Sequence, residues 1–341
     1  MTTENDNTTK NFQQKVWTAC AITALFVVVI WLFKATFNVL LLILAGILIA
    51  AYFRGLSGLI HRNIKLPENA SLAIAVIGSI VLLGLFFWLA GAKISEQANE
   101  MSDTLPATIN TFKSQLRQNP LGQKALDYIS SRHATQKGTT VVRQFFRSTF
   151  GALGDIYVVL FIGIFFTVSP KTYVNGFLKL IPPKAKPQAH DILNHIGATL
   201  TKWLKGKIFA MFVVAVLTYI ALIILGMPLA LILALIAGAL NFIPNFGPLI
   251  AMIPAALIGL TQSTQTALIV IAVYVAIQIL ESNFITPQVQ KKLISIPPAL
   301  IIIAQLFMGM LTGGWGLLLA TPLAAILIVV LQDTYIKKQE S

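Results

Sequence analysis

Charge is scarce in this chain: 11% of its 341 residues are Asp, Glu, Lys or Arg, while 56% are hydrophobic. A soluble domain carries about a quarter charged residues, so water is not the solvent for most of this surface. Cysteine is scarcer still, and the single Cys20 excludes a disulfide framework and a cysteine-ligated metal site. The four histidines, His61, His133, His190 and His195, all lie in connections between apolar runs. They form no HExxH pattern, and neither a CxxC pair nor a Walker-type glycine loop occurs. His190 and His195 are five residues apart, which does not stack them on one helix face. These absences argue against catalysis and against an ATP-driven pump within the chain, and no cofactor, metal or catalytic residue is expected.

What the chain does have is long apolar runs. A helix needs about 20 apolar residues to cross the hydrocarbon core, and several uninterrupted runs approach that length without the alternation of a barrel strand. Spans are expected near 16–33, 35–53, 70–92, 151–169, 208–226 and 266–281. The first run lacks a small-residue cleavage site and is read as a retained span rather than a signal peptide.

Two further apolar blocks, 229–260 and 298–332, are too long for one crossing and too short for two with a turn. The first breaks at Asn241-Phe242-Ile243-Pro244-Asn245-Phe246-Gly247-Pro248, the second between Gly309 and Gly316. Prolines remove helix donors and glycines permit backbone that other residues avoid, so polar groups are freed at membrane depth. Lipid does not satisfy them, and paired broken helices mark binding sites in transporters. One such break is usually only a kink, whereas two in the same half of the chain favour re-entrant hairpins.

The expected fold is therefore all-α, a polytopic helical membrane protein with about six full spans plus two interrupted hairpins. Residues 1–92 form three transmembrane helices and 93–150 a polar amphipathic insert. A fourth span and a basic stretch occupy 151–207, a transport domain holding both hairpins 208–334, and a cytoplasmic tail 335–341. With the amino terminus inside, 16 of the 25 Lys and Arg fall in inner connections, which places both termini in the cytoplasm of an inner-membrane protein. The first hairpin then enters from outside and the second from inside, and their tips are expected to meet near the midplane.

The insert carries Ile94, Ala98, Met101 and Leu105 at helical spacing, and Asn119-Pro120-Leu121-Gly122 reads as a turn. The stretch 170–207 holds seven lysines against Asp191 alone. It reads as an inner-surface helix attracted to anionic lipid, not as a nucleic-acid site.

Only two acids fall within or at the ends of spans, and such groups are functional candidates by default. Glu281, followed by Ser282-Asn283-Phe284-Ile285-Thr286-Pro287, offers a carboxylate that exchanges a proton or gives an oxygen to sodium. The bland alternative pairs it with Lys291 or Lys292 at the interface. Asp155 is a secondary candidate, read first as interfacial. The solute and ion pathway is assigned to Asn241, Pro244, Asn245, Phe246, Gly247, Pro248, Glu281, Asn283, Pro287, Gly313, Gly314 and Pro322. Within it the asparagines supply amide hydrogen bonds, and Gly247 and Gly313 allow close backbone approach.

The succession Leu225-Gly226-Met227-Pro228, Asn241 to Pro248, Glu281 to Pro287, Gly313-Gly314-Trp315-Gly316 and Ala320-Thr321-Pro322-Leu323 resembles the autoinducer-2 exporter family over about 200–332. The resemblance implies about eight hydrophobic segments and a homo-oligomer. It also implies a substrate drawn from autoinducer-2 in some members and from sodium or lithium exchanged for protons in others. Asn245 stands where the family often has an aromatic residue, and Ile296 where a polar one is frequent. The expected function is a secondary transporter exporting a small polar solute, with autoinducer-2 first and H+ or Na+ as coupling ion. The alternatives are a sodium/proton antiporter, a passive channel and a membrane scaffold that moves nothing.

Overall fold

The computed structural model describes residues 3–117, 123, 154–285, 287 and 297–336, and within these it is helical with no strand. Five helices are long and apolar enough to cross a membrane, or six if one pair bent by 90° counts as a single span. That pair is α3 (Gly154–Val168) and α4 (Pro170–Lys179), bent where Pro170 cannot continue the hydrogen-bond ladder. The outward faces are apolar, with Leu82, Trp88, Ile224 and Met310 all exposed. Such a surface would aggregate in water and is the normal exterior in lipid.

The amino-terminal region departs from expectation. One helix, α1 (Thr3–Ile64, 62 residues), runs through both of the first two expected spans. Only Lys34 separates those runs, and the segment around it has no Gly or Pro to end a helix. α2 (Glu68–Arg117) likewise carries the third span straight into the insert, so 1–92 forms two helices and not three. Residues 118–122, with the expected turn, lie outside the described residues, as does most of the insert.

In the carboxyl-terminal half the helices break at both of the interruptions read from the sequence. α5 (Lys186–Ile224) joins the basic stretch to a span without interruption. Hairpin 1 is α6 (Ala230–Leu240) and α7 (Phe246–Gln262); α8 (Thr264–Leu280) follows, capped at its start by Ser263, whose oxygen accepts from the Thr266 amide at 2.9 Å. A π-helical turn, Glu281–Ile285, ends α8, and hairpin 2 is α9 (Pro298–Thr312) and α10 (Gly314–Leu331). Both breaks use left-handed backbone, at Asn245 (φ 64°) and at Gly313 (φ 66°). Gly tolerates that region at no cost and Asn better than most residues.

Two packed clusters share α5. Hairpin 1 buries Leu233, Ala251 and Ile258 against Val214 and Leu222 of α5 and Val270 and Ile277 of α8, with Met101 and Leu105 of the insert packed alongside. Hairpin 2 buries Met308, Leu319 and Ala320 against Leu41, Leu44 and Leu48 of α1, Val159 of α3 and Trp203 of α5. Lipid is as apolar as these side chains, so close backbone approach does much of the holding. Gly46 of α1 sits against Ile162 of α3, and Gly163 of α3 against Ile49.

Polar ties mark the two ends of the bundle. At one end Arg54 donates from Nε to the Thr167 carbonyl at 3.0 Å and meets Glu68 at 3.3 Å, and Gly55 lies against Lys205. The carboxyl-terminal π turn, Gln332–Ile336, is held to α5 by His195 Nδ1 and Asp333 Oδ2 at 2.7 Å. At the other end the Ile232 amide, in the first turn of α6, donates to Gln97 Oε1 at 3.1 Å. The insert therefore caps hairpin 1, satisfying an amide that has no partner within its own helix.

Candidate functional site

The tip of hairpin 1 is built around one close approach. A Cβ on Gly247 would lie 1.8 Å from the Leu240 carbonyl oxygen, so no other residue lets α6 and α7 converge there. Its far side rests on α5, where Phe242 packs edge-on against Trp203 at 5.6 Å between ring centroids. The Pro244 carbonyl accepts a 2.8 Å hydrogen bond from Gln305 Nε2. Gln305 precedes Gly313 by eight residues, about 12 Å of helix, so the tip of hairpin 1 meets the flank of hairpin 2.

The expected meeting of two tips does not occur. The tip of hairpin 2 lies elsewhere, where Trp315 Nε1 donates to Asp155 Oδ2 at the start of α3 at 2.7 Å. The reason is length: arms of 15 and 18 residues reach about 22 and 27 Å, most of the hydrocarbon depth, and carry this tip past the middle. Asp155 is thus half-buried and fastened to hairpin 2 instead of facing the interface freely.

A mostly apolar groove of about 210 Å³, with polar side chains set along its walls, opens between α7 and the end of α8. Asn245 and Pro248 line it from the hairpin, and Tyr274, Gln278, Ser282 and Asn283 from the other wall, with Leu249, Met252, Val275 and Ile279 as its apolar parts. The Tyr274 hydroxyl is buried without a hydrogen-bond partner among the described residues. Behind this wall sits Glu281, 5% exposed. Its Oε2 accepts from Gln278 Nε2 at 3.3 Å and Ser282 Oγ at 3.5 Å, while Asn283 Nδ2 donates to the Ile279 carbonyl at 2.9 Å. The carboxylate is one side chain away from the groove. Lys207, on α5, lies within electrostatic range of Glu281. Lys291 and Lys292 lie outside the described residues.

The structure thus gathers Asn245, Pro248, Asn283 and Glu281 into one region. Asn241 and Gly247 are buried beneath it, and Pro244 and Phe246 form the tip between. Gly313 and Gly314 lie at the other end beside Trp315, and no atom stands within 4 Å of where their Cβ would be. The close approach in hairpin 2 belongs instead to Gly316, whose Cβ would meet the Met308 carbonyl and Thr312 Oγ1 at 2.1 Å each. Pro322 is buried inside α10, and Pro287 is exposed. Among the described residues no three His, Cys, Asp or Glu side chains gather to hold a metal ion.

Sequence reasoning missed Gln305, Lys207, Gln278 and Trp315. Gln305 had a signal, as the one polar side chain in the apolar arm 299–311. Lys207 had none, because it reads as one more lysine of the basic stretch.

A family model described as AI-2E family transporter matches residues 20–336. The chain belongs to that family. It is 22% identical over 286 residues to "AI-2 transport protein TqsA" of Escherichia coli (strain K12), covering 82% of each chain. To "Putative transport protein YueF" of Bacillus subtilis (strain 168) it is 25% identical over 278 residues, 77% of this chain and 75% of that one. A 152-residue match at 32% identity links it to "Putative transport protein YrrI" of the same organism, covering 45% of this chain and 43% of the relative. AI-2E membership and these names indicate a multi-pass membrane transporter rather than an enzyme.

Proposed function

We propose that this AI-2E family member is a secondary transporter that exports a small polar solute across the inner membrane. An autoinducer-2-like signal is the first substrate to test, and H+ or Na+ the coupling ion. The observation that carries the reading is Glu281: a carboxylate withdrawn from water, hydrogen-bonded to two polar side chains in the wall of a groove beside a broken helix. Buried acids in membrane proteins mark ion and proton pathways, and half-helix ends beside them bind polar solutes. The relative named as an AI-2 transport protein supports the choice of solute.

A second reading, sodium/proton antiport, is favoured by Lys207. Lys207 is close enough to Glu281 for the two charges to act on each other, so a cation or proton arriving at the carboxylate would compete with it.

The test is transport in proteoliposomes under an imposed pH or sodium gradient, with autoinducer-2 and sodium/proton exchange measured for wild type and Glu281→Gln. Gradient-driven flux that disappears in the variant supports coupling at Glu281, and unchanged flux with unchanged ion dependence removes it. Flux that never runs uphill indicates a channel, and no flux of either solute a scaffold.

A further inference from the structure

Three side chains outside the groove end in polar atoms with no partner among the described residues: Asn241 Nδ2, Gln305 Oε1 and Thr321 Oγ1. Their residues are 1%, 0% and 3% exposed. Each such atom costs about 1–3 kcal/mol to bury unsatisfied, so three on neighbouring segments call for a ligand.

The arm α9, which carries Gln305, touches both the turn that follows Asn241 and α10, which carries Thr321. The Gln305 bond to Pro244 seats α9 against the turn that begins at Asn241, three residues earlier. Within hairpin 2, Gly309 faces Leu317, whose Cδ1 would lie 3.7 Å from a Cβ placed on it. Gln305 is one helical turn before Gly309 and Thr321 one turn after Leu317, each on the same face as its neighbour. Antiparallel arms in that register set Gln305 and Thr321 opposite each other, deeper in the hairpin than Gly309.

We infer that Asn241, Gln305 and Thr321 form an occluded subsite for a hydroxyl group of a small neutral solute. The inference rests on the transport reading and adds a second point of solute contact, at the crossing of the two hairpins. An amide donor, an amide acceptor and a hydroxyl that does both match a group that both donates and accepts. A bare cation would face the Asn241 amide N–H and find two free side-chain oxygens where a hard ion seeks about six. An anion would face those same oxygens with no positive charge in the trio.

Thr321→Val removes the free oxygen while keeping the shape and breaking no side-chain hydrogen bond among the described residues. Equilibrium binding to the purified full-length protein, with no gradient, is measured for autoinducer-2 and for the neutral polyol erythritol. The expected result is that wild type binds at least one of them, that Thr321→Val weakens that binding about tenfold, and that its melting temperature holds or rises. Gln305→Leu weakens binding as well and lowers the melting temperature, because it also loses the bond to Pro244. Unchanged binding in Thr321→Val overturns the subsite and leaves the oxygen a tolerated or hydrated orphan. Wild type that binds neither probe also overturns it, even where sodium exchange through Glu281 persists. Loss of ion coupling alone would defeat the proposed function while leaving the subsite standing.

Discussion

At Gly247 two chain segments are separated by less than a methyl group would need, since the obstructing atom is a backbone carbonyl that cannot rotate away. Gly247→Ala is therefore expected to destabilise the protein by about 2–4 kcal/mol, read as a drop in melting temperature in detergent. Gly176→Ala is the matched control. It lies in the interior of α4 with nothing within 4 Å of its Cβ position, and should hold or gain up to about 1 kcal/mol. Equal effects at the two sites would mean that the tip of hairpin 1 relaxes more easily than its geometry implies. Glu281 and Lys207 belong to the same scale. Glu281→Gln keeps the shape that accepts from Gln278 and Ser282, so its effect reports charge and not packing.

Among the elements, hairpin 2 is held at two levels. Its flank is tied to hairpin 1 through Gln305, and its tip to α3 through Trp315 and Asp155. Because the acceptor at the tip is a carboxylate, a double-mutant cycle of Trp315→Phe and Asp155→Ala should give a coupling of about 1.5–3 kcal/mol in thermal unfolding. Additive effects would show that the bond does not hold the tip. Hairpin 1 has a corresponding tie in Gln97, which accepts the Ile232 amide. Gln97→Leu should speed hydrogen exchange of that amide, and protection at the wild-type level would show that another group caps α6.

For the whole molecule the polar ties sort the helix ends into two sets. Arg54, Thr167, Glu68 and Lys205 fall in one, Gln97 and the start of α6 in the other. If the basic connections lie inside, the first set faces the cytoplasm. Since Cys20 is the only cysteine, a Cys20→Ser background makes the orientation measurable with an impermeant thiol reagent. Asp103→Cys should label from the outside and Lys184→Cys only after the inside is opened. The reverse pattern would invert the topology and with it the direction of transport.

Composition and run length by themselves determined the solvent, the helical class and the punctuation of both hairpins, because lipid requires each spanning segment to satisfy its own backbone and allows breaks only where protein covers them. The family was legible too, since its motifs lie in those breaks. Sequence spacing did not show that α1 runs on past Lys34, because one lysine between two apolar runs neither ends a helix nor makes a turn. Nor did it show where the tips lie, because depth depends on how far each arm slides along its neighbours. Gln305 against Pro244 and Trp315 against Asp155 are contacts between residues 61 and 160 positions apart, and Lys207 and Glu281, 74 apart, act on each other electrostatically. Only the packing of the helices and hairpins against one another brings such distant positions together, and no local pattern encodes it.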